Sequence, residues 1–108
     1  YNVLVQAERI TAVLDWGCSL YGDHLYDLAW LLYWQPWFAA WREIDFLGAA
    51  LRHWEAIGLN VPDWRRRLIC CLVHIGLGEQ AYQASAGLWD MLRETTPYTL
   101  AIARRGEV

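Results

Sequence analysis

The chain has 108 residues, is 56% hydrophobic and 15% aromatic, and carries a net charge of −3. That is enough chain for one domain with a real core, and too apolar a composition for a disordered segment. The acidic balance argues against an electrostatic nucleic-acid surface, and the longest apolar run, Leu28 to Trp41, is broken by Gln35 and Pro36 and too short to cross a bilayer.

Asn2 to Gln6 (NVLVQ) and Ile10 to Leu14 (ITAVL) are short β-rich runs around a polar Ala7-Glu8-Arg9 turn, which predicts an N-terminal β-hairpin over residues 2–14. With Glu8 and Arg9 as the loop pair, antiparallel register sets Asn2 opposite Asp15, Cβ atoms roughly 5 Å apart. An aspartate closing an apolar strand is disfavoured unless water or a cation stabilises it. An amide oxygen and a carboxylate at one end of a hairpin suit a divalent, oxygen-seeking cation such as Mg²⁺.

Residues 15–23 read as a loop, and residues 24–106 as helical. The stretch 24–34 is apolar nearly all round, which predicts a helix buried on most sides. Pro36 restarts the chain. Ile44, Leu47, Leu51 and Trp54 form one stripe of an amphipathic helix that Gly58 ends. Pro62 opens a long helix to about Ala86, with Leu68, Leu72, Ile75 and Tyr82 on one face. Gly87 breaks it, and residues 89–105 are helical with a restart at Thr96-Pro97. The predicted fold is α+β and predominantly helical, a single domain with a short N-terminal hairpin followed by about four helices.

Cys18, Cys70 and Cys71 lack metal-ligand spacing and read as reduced, structural cysteines of a cytoplasmic protein. Asp23, after Gly22 and before a helix, reads as an N-cap, and Asp27 as scaffold. His24, His53 and His74 share no spacing. Arg65, Arg66 and Arg67 read as a solvated helix face. Trp34 and Trp37 flank Pro36, and on residues alone such an aromatic stripe is core. All nine basic residues are arginine.

The runs NVLV, ITAVLDW and GDHLYDLAW, followed by LLYWQPW, resemble the C-terminal part of aminoglycoside phosphotransferases, small-molecule kinases of protein-kinase-like fold. The resemblance implies transfer of the γ-phosphoryl of ATP to an aminocyclitol hydroxyl. In such kinases a catalytic-loop asparagine and a second aspartate hold Mg²⁺, and another aspartate orients the acceptor. Asn2 matches that asparagine and Asp15 the metal aspartate, whereas the acceptor-orienting aspartate, about five residues before Asn2, would fall upstream of Tyr1. Trp34 and Trp37 match tryptophans that line the acceptor pocket, so core and pocket both stay open for them; Tyr1, beside Asn2, would border the same pocket. Glu43, Asp45, Glu55, Glu79, Asp90 and Glu94 would help attract a polycationic aminoglycoside.

The kinase template also needs a lysine and a glycine-rich loop for the phosphates, and this chain has no lysine. The expectation is therefore a fragment without its nucleotide lobe. Residues 24–106 would be its acceptor-binding part, and the fragment alone would be inactive, bind neither ATP nor Mg²⁺, and self-associate as a homodimer through uncovered apolar groups. Two other readings stay open: a stand-alone non-catalytic module that binds a small cationic ligand or dimerises, and a fragment of a related kinase for another alcohol.

Overall fold

The computed structural model describes residues 2–18, apart from the Cys18 side chain, and residues 21–106. Strand β1 (Val3–Gln6) runs antiparallel to β2 (Arg9–Val13) as a two-stranded sheet. Ala7 (φ 48°) and Glu8 (φ 61°) form the turn, both left-handed, as the twist of a two-residue hairpin loop demands even without glycine. The loop pair is thus Ala7-Glu8, not Glu8-Arg9. Next to the turn Gln6 pairs with Arg9 and Val5 with Ile10. Beyond it Leu4 pairs with Ala12 and Val3 with Val13, so Thr11 is the extra residue of a β-bulge. Its Oγ1 donates to Leu4 O at 3.2 Å. The expected register is corrected accordingly: the Leu14 N–H donates to Asn2 O at 2.8 Å, which makes Leu14, not Asp15, the cross-strand neighbour of Asn2.

Four helices follow: α1 (Leu25–Trp34), α2 (Phe46–Ala56), α3 (Trp64–Ser85) and α4 (Trp89–Arg105). Asp45 caps α2, its Oδ1 accepting the Gly48 N–H at 2.8 Å. Gly58 and Gly87 stop α2 and α3 with φ of 67° and 70°. Each supports the six-to-one bond of a Schellman motif, Leu59 N–H to Trp54 O and Leu88 N–H to Gln83 O, both 2.8 Å. Helix α4 does not restart at Thr96-Pro97. Pro97 and Arg93 both face solvent, so water can satisfy the Arg93 carbonyl that the proline leaves without a donor.

Helix α3 packs against both α1 and α4, and the core lies at these crossings: Leu25, Ala29 and Tyr33 from α1 and Leu68, Leu72 and Ile75 from α3. Only that one face of α1 is buried; Trp30 and Leu31 stay 38% and 37% exposed, which corrects the expectation of a helix covered on most sides. The α3 stripe also departs from expectation. Tyr82 is exposed, and Gly76 and Gln83 continue the buried face instead. A Cβ at Gly76 would collide with the Thr99 side chain, so the bare glycine is what lets α4 approach.

That close approach carries a buried polar ladder. Thr99 Oγ1 donates to Thr95 O (2.9 Å), and a hydroxyl has one hydrogen, so Tyr33 Oη is the donor in its 2.9 Å bond to Thr99. Thr95 Oγ1 donates to Gln83 Oε1 at 2.7 Å, and Gln83, Thr95 and Thr99 are nearly inaccessible.

The hairpin stands outside this packing, with every residue from Asn2 to Gly17 exposed except half-buried Ala12. The Cα radius of gyration is 15.3 Å, against about 13 Å for a compact domain of this length. Among the described residues no helix is long and apolar enough to cross a membrane.

Candidate functional site

Asp15 leaves the end of β2 with φ 60°, a left-handed turn that swings its side chain back over the hairpin end. The Asn2 amide Nδ2 donates to Asp15 Oδ2 at 3.3 Å, so the two residues meet although they are not register partners. Trp16 Nε1 donates to Val13 O at 2.8 Å and braces the same turn. Both side chains are exposed, so water stabilises the carboxylate at little cost.

A cation at this end would find Asp15 oxygens directly, and Asn2 Oδ1 once the amide turns over. Among the described residues no three His, Cys, Asp or Glu side chains gather as a metal cluster. The pair alone therefore offers two protein oxygens, an arrangement that fits Mg²⁺ when phosphates and water complete its octahedron.

The far end of the loop is tied to the helices by Asp23. Its Oδ1 accepts the Leu25 N–H at 3.0 Å, starting α1 as a cap would. Arg67 forks onto the same carboxylate, Nε to Oδ2 at 2.9 Å and Nη2 to Oδ1 at 2.8 Å, while Nη1 donates to Pro62 O at 2.8 Å. Arg67 is thus a clamp between α1 and α3, not part of a solvated face; Arg65 and Arg66 remain exposed. Asp27 is exposed in the first turn of α1.

The Arg67 guanidinium beside Asp23 holds its carboxyl below the usual carboxylate range. A carboxyl whose folded pKa is depressed contributes stability above its unfolded pKa and loses it as pH falls through the folded one. Arg67→Met should therefore lower stability at neutral pH and make the further loss below about pH 4 shallower. Urea unfolding at pH 7 and pH 3 checks this, and an equal decrement at both would assign the pair's contribution to packing.

Trp34 and Trp37 touch, ring centroids 5.5 Å apart, yet they face different surroundings. Trp37 packs on Tyr33 at 6.0 Å and Tyr98 at 4.9 Å, and its Nε1 donates to Glu94 Oε2 at 3.1 Å. Trp34 also borders an apolar surface hollow of about 410 Å³ with Trp30, Leu31, Phe38, Trp41 and Met91. Tyr1 lies outside the described residues.

Several acidic residues expected to face a ligand have partners within the chain. Asp45 holds Arg52 as well as its cap, and Asp90 pairs with Arg93 at 2.7 Å. Glu79 is half-buried, and burial pushes its carboxyl up. His74 Nδ1 shares a 3.0 Å hydrogen bond with Tyr26 Oη. Cys70 and Cys71 are free, and burial pushes the Cys71 thiol up.

Residues 1–70 match the model of the phosphotransferase enzyme family, and the chain belongs to that family. Membership implies a kinase-like fold, with which the hairpin and four helices agree. A curated relative, hygromycin-B 4-O-kinase of Escherichia coli, is 37% identical over 83 residues, covering 77% of this chain. The chain spans only about a fifth of that relative's length, 22%. No solved structure matches the chain.

Proposed function

We propose that this chain is the metal-binding hairpin and acceptor-side helical part of an ATP-dependent kinase for a hygromycin-like aminoglycoside. The observation that carries the reading is the meeting of Asn2 and Asp15 at one end of the hairpin. Asn2 and Asp15 would hold Mg²⁺ there, and the ion would neutralise charge on the transferring phosphate. Residues 24–106 would bind the acceptor, with Tyr1, Trp34 and Trp37 along its pocket. Flat aromatic faces suit this, since they pack on sugar rings or attract ammonium groups by roughly 0.5–2 kcal/mol each.

With no lysine for the ATP phosphates and no acceptor-orienting aspartate, the chain alone should not turn over. A coupled assay with ATP, Mg²⁺ and hygromycin B should stay at background. The same segment, placed in hygromycin-B 4-O-kinase in exchange for the region it matches, should support transfer. Turnover by the purified chain alone, or a well-folded but inactive chimera, would contradict the assignment.

The chain by itself should also self-associate. Its accessible surface is 8308 Å², against about 6,200 Å² for a folded monomer of this mass, so about 2,000 Å² more is open than a compact chain would leave. The hairpin contributes two strand edges, one on β1 and one on β2, and open edges pair with like chains. A second copy joined through the hairpin would bury upwards of about 1,000 Å². Sedimentation at micromolar concentration should give a dimer, and a monomer that stays soluble when concentrated would refute it.

A further inference from the structure

A second hollow, of about 550 Å³, opens where the C-terminal half of α4 lies beside the C-terminal end of α1 and Leu72 in the body of α3. Its floor is apolar, from Leu32, Leu72 and Ile102, and Arg42 and Arg105 stand at its rim. Arg52, Arg67 and Arg93 each pair with a carboxylate, whereas Arg42 and Arg105, like Arg9, Arg65, Arg66 and Arg104, have none among the described residues, and only Arg42 and Arg105 line this hollow. In a chain of net charge −3, two unpaired guanidinium groups over one apolar floor make a local field of the opposite sign.

Tyr98 completes the wall. Its ring packs on Tyr33 and Trp37, and its hydroxyl makes no hydrogen bond among the described residues. Burial pushes that hydroxyl's pKa up, which keeps it a neutral donor.

We propose that this hollow binds an amphiphilic monoanion, a carboxylate with an apolar tail. The tail would lie on Leu32, Leu72 and Ile102, and the carboxylate would take charge-assisted hydrogen bonds from Arg42 and Arg105 and a further one from Tyr98. The volume falls within the range of small-molecule sites, about 300–1,000 Å³. A polycationic aminoglycoside would be repelled by Arg42 and Arg105, so the ligand class differs from that of the acceptor, although Tyr98 in this wall touches Trp37. The proposal does not rest on the kinase reading.

The test is calorimetric titration of the chain with dodecanoate below its micelle concentration, beside dodecyltrimethylammonium as the charge-reversed probe. Dodecanoate should bind saturably and the cation should not. The pair Arg42→Gln and Arg105→Gln, both at exposed positions, should weaken dodecanoate at least about tenfold with an unchanged circular dichroism spectrum. Tyr98→Phe should weaken it less, and Phe38→Ala, in the other apolar hollow, not at all. Equal binding of both probes, no saturable binding, or full affinity in the double variant would overturn the proposal. Loss of binding on Phe38→Ala with the arginine variant unaffected would do the same.

Discussion

Tyr33→Ala should lower the unfolding free energy by about 3–5 kcal/mol, the range for deleting a buried aromatic side chain. Tyr33 is fully buried, and its ring lies 5.4 Å from both Trp34 and Tyr98 and 6.0 Å from Trp37. The space should stay largely open, because Tyr98 is fixed on α4 and Trp37 is held by its bond to Glu94. Small domains are stable by only about 5–15 kcal/mol, so the variant should unfold at markedly lower urea.

Tyr33→Phe separates ring from hydroxyl. Thr99 Oγ1 keeps its own bond to Thr95 O, so no donor is orphaned, and the cost should be near 1 kcal/mol. Urea unfolding of both variants is the measurement. A phenylalanine variant as unstable as the alanine one would move the contribution from ring packing to the polar ladder.

The ladder also marks a limit of sequence reading. Thr95 and Thr99, four apart on α4, look like surface hydroxyls until Gln83 is placed against the first and Gly76 against the second, and that pairing depends on how α3 crosses α4. The Asp23–Arg67 clamp is hidden for the same reason, since 44 residues separate its partners. An arginine within an Arg65-Arg66-Arg67 run carries no local sign of which member turns inward.

Elements set by local chemistry were legible. The hairpin follows from two β-rich runs, and the ends of α2 and α3 follow from Gly58 and Gly87, where the backbone needs a positive φ. The register was not, because a turn without glycine does not announce which two residues go left-handed, and the Thr11 bulge shifts the pairing again. Asn2 and Asp15 meet all the same, because the left-handed turn at Asp15 brings the carboxylate back to the hairpin end. The openness of α1 was missed too. An apolar circumference predicts burial, but only Leu25, Ala29 and Tyr33 are fully buried, while Trp30 and Leu31 stay exposed.

The proposed metal role of the Asn2–Asp15 pair can be tested without disturbing the fold. Asp15 is exposed and its only described side-chain partner is Asn2. Asp15→Asn keeps the shape of the side chain and removes the charge a divalent cation requires. The direct measurement is ATP-dependent phosphorylation of hygromycin B by the kinase chimera carrying residues 1–108, with and without Asp15→Asn, at matched melting temperature. A metal ion contributes several kcal/mol to the transferring phosphate, so the predicted result is a fall in kcat of at least about 100-fold, with the acceptor KM within a few-fold. A substituted chimera that keeps kcat within a few-fold of its parent would show that Asp15 holds no catalytic metal.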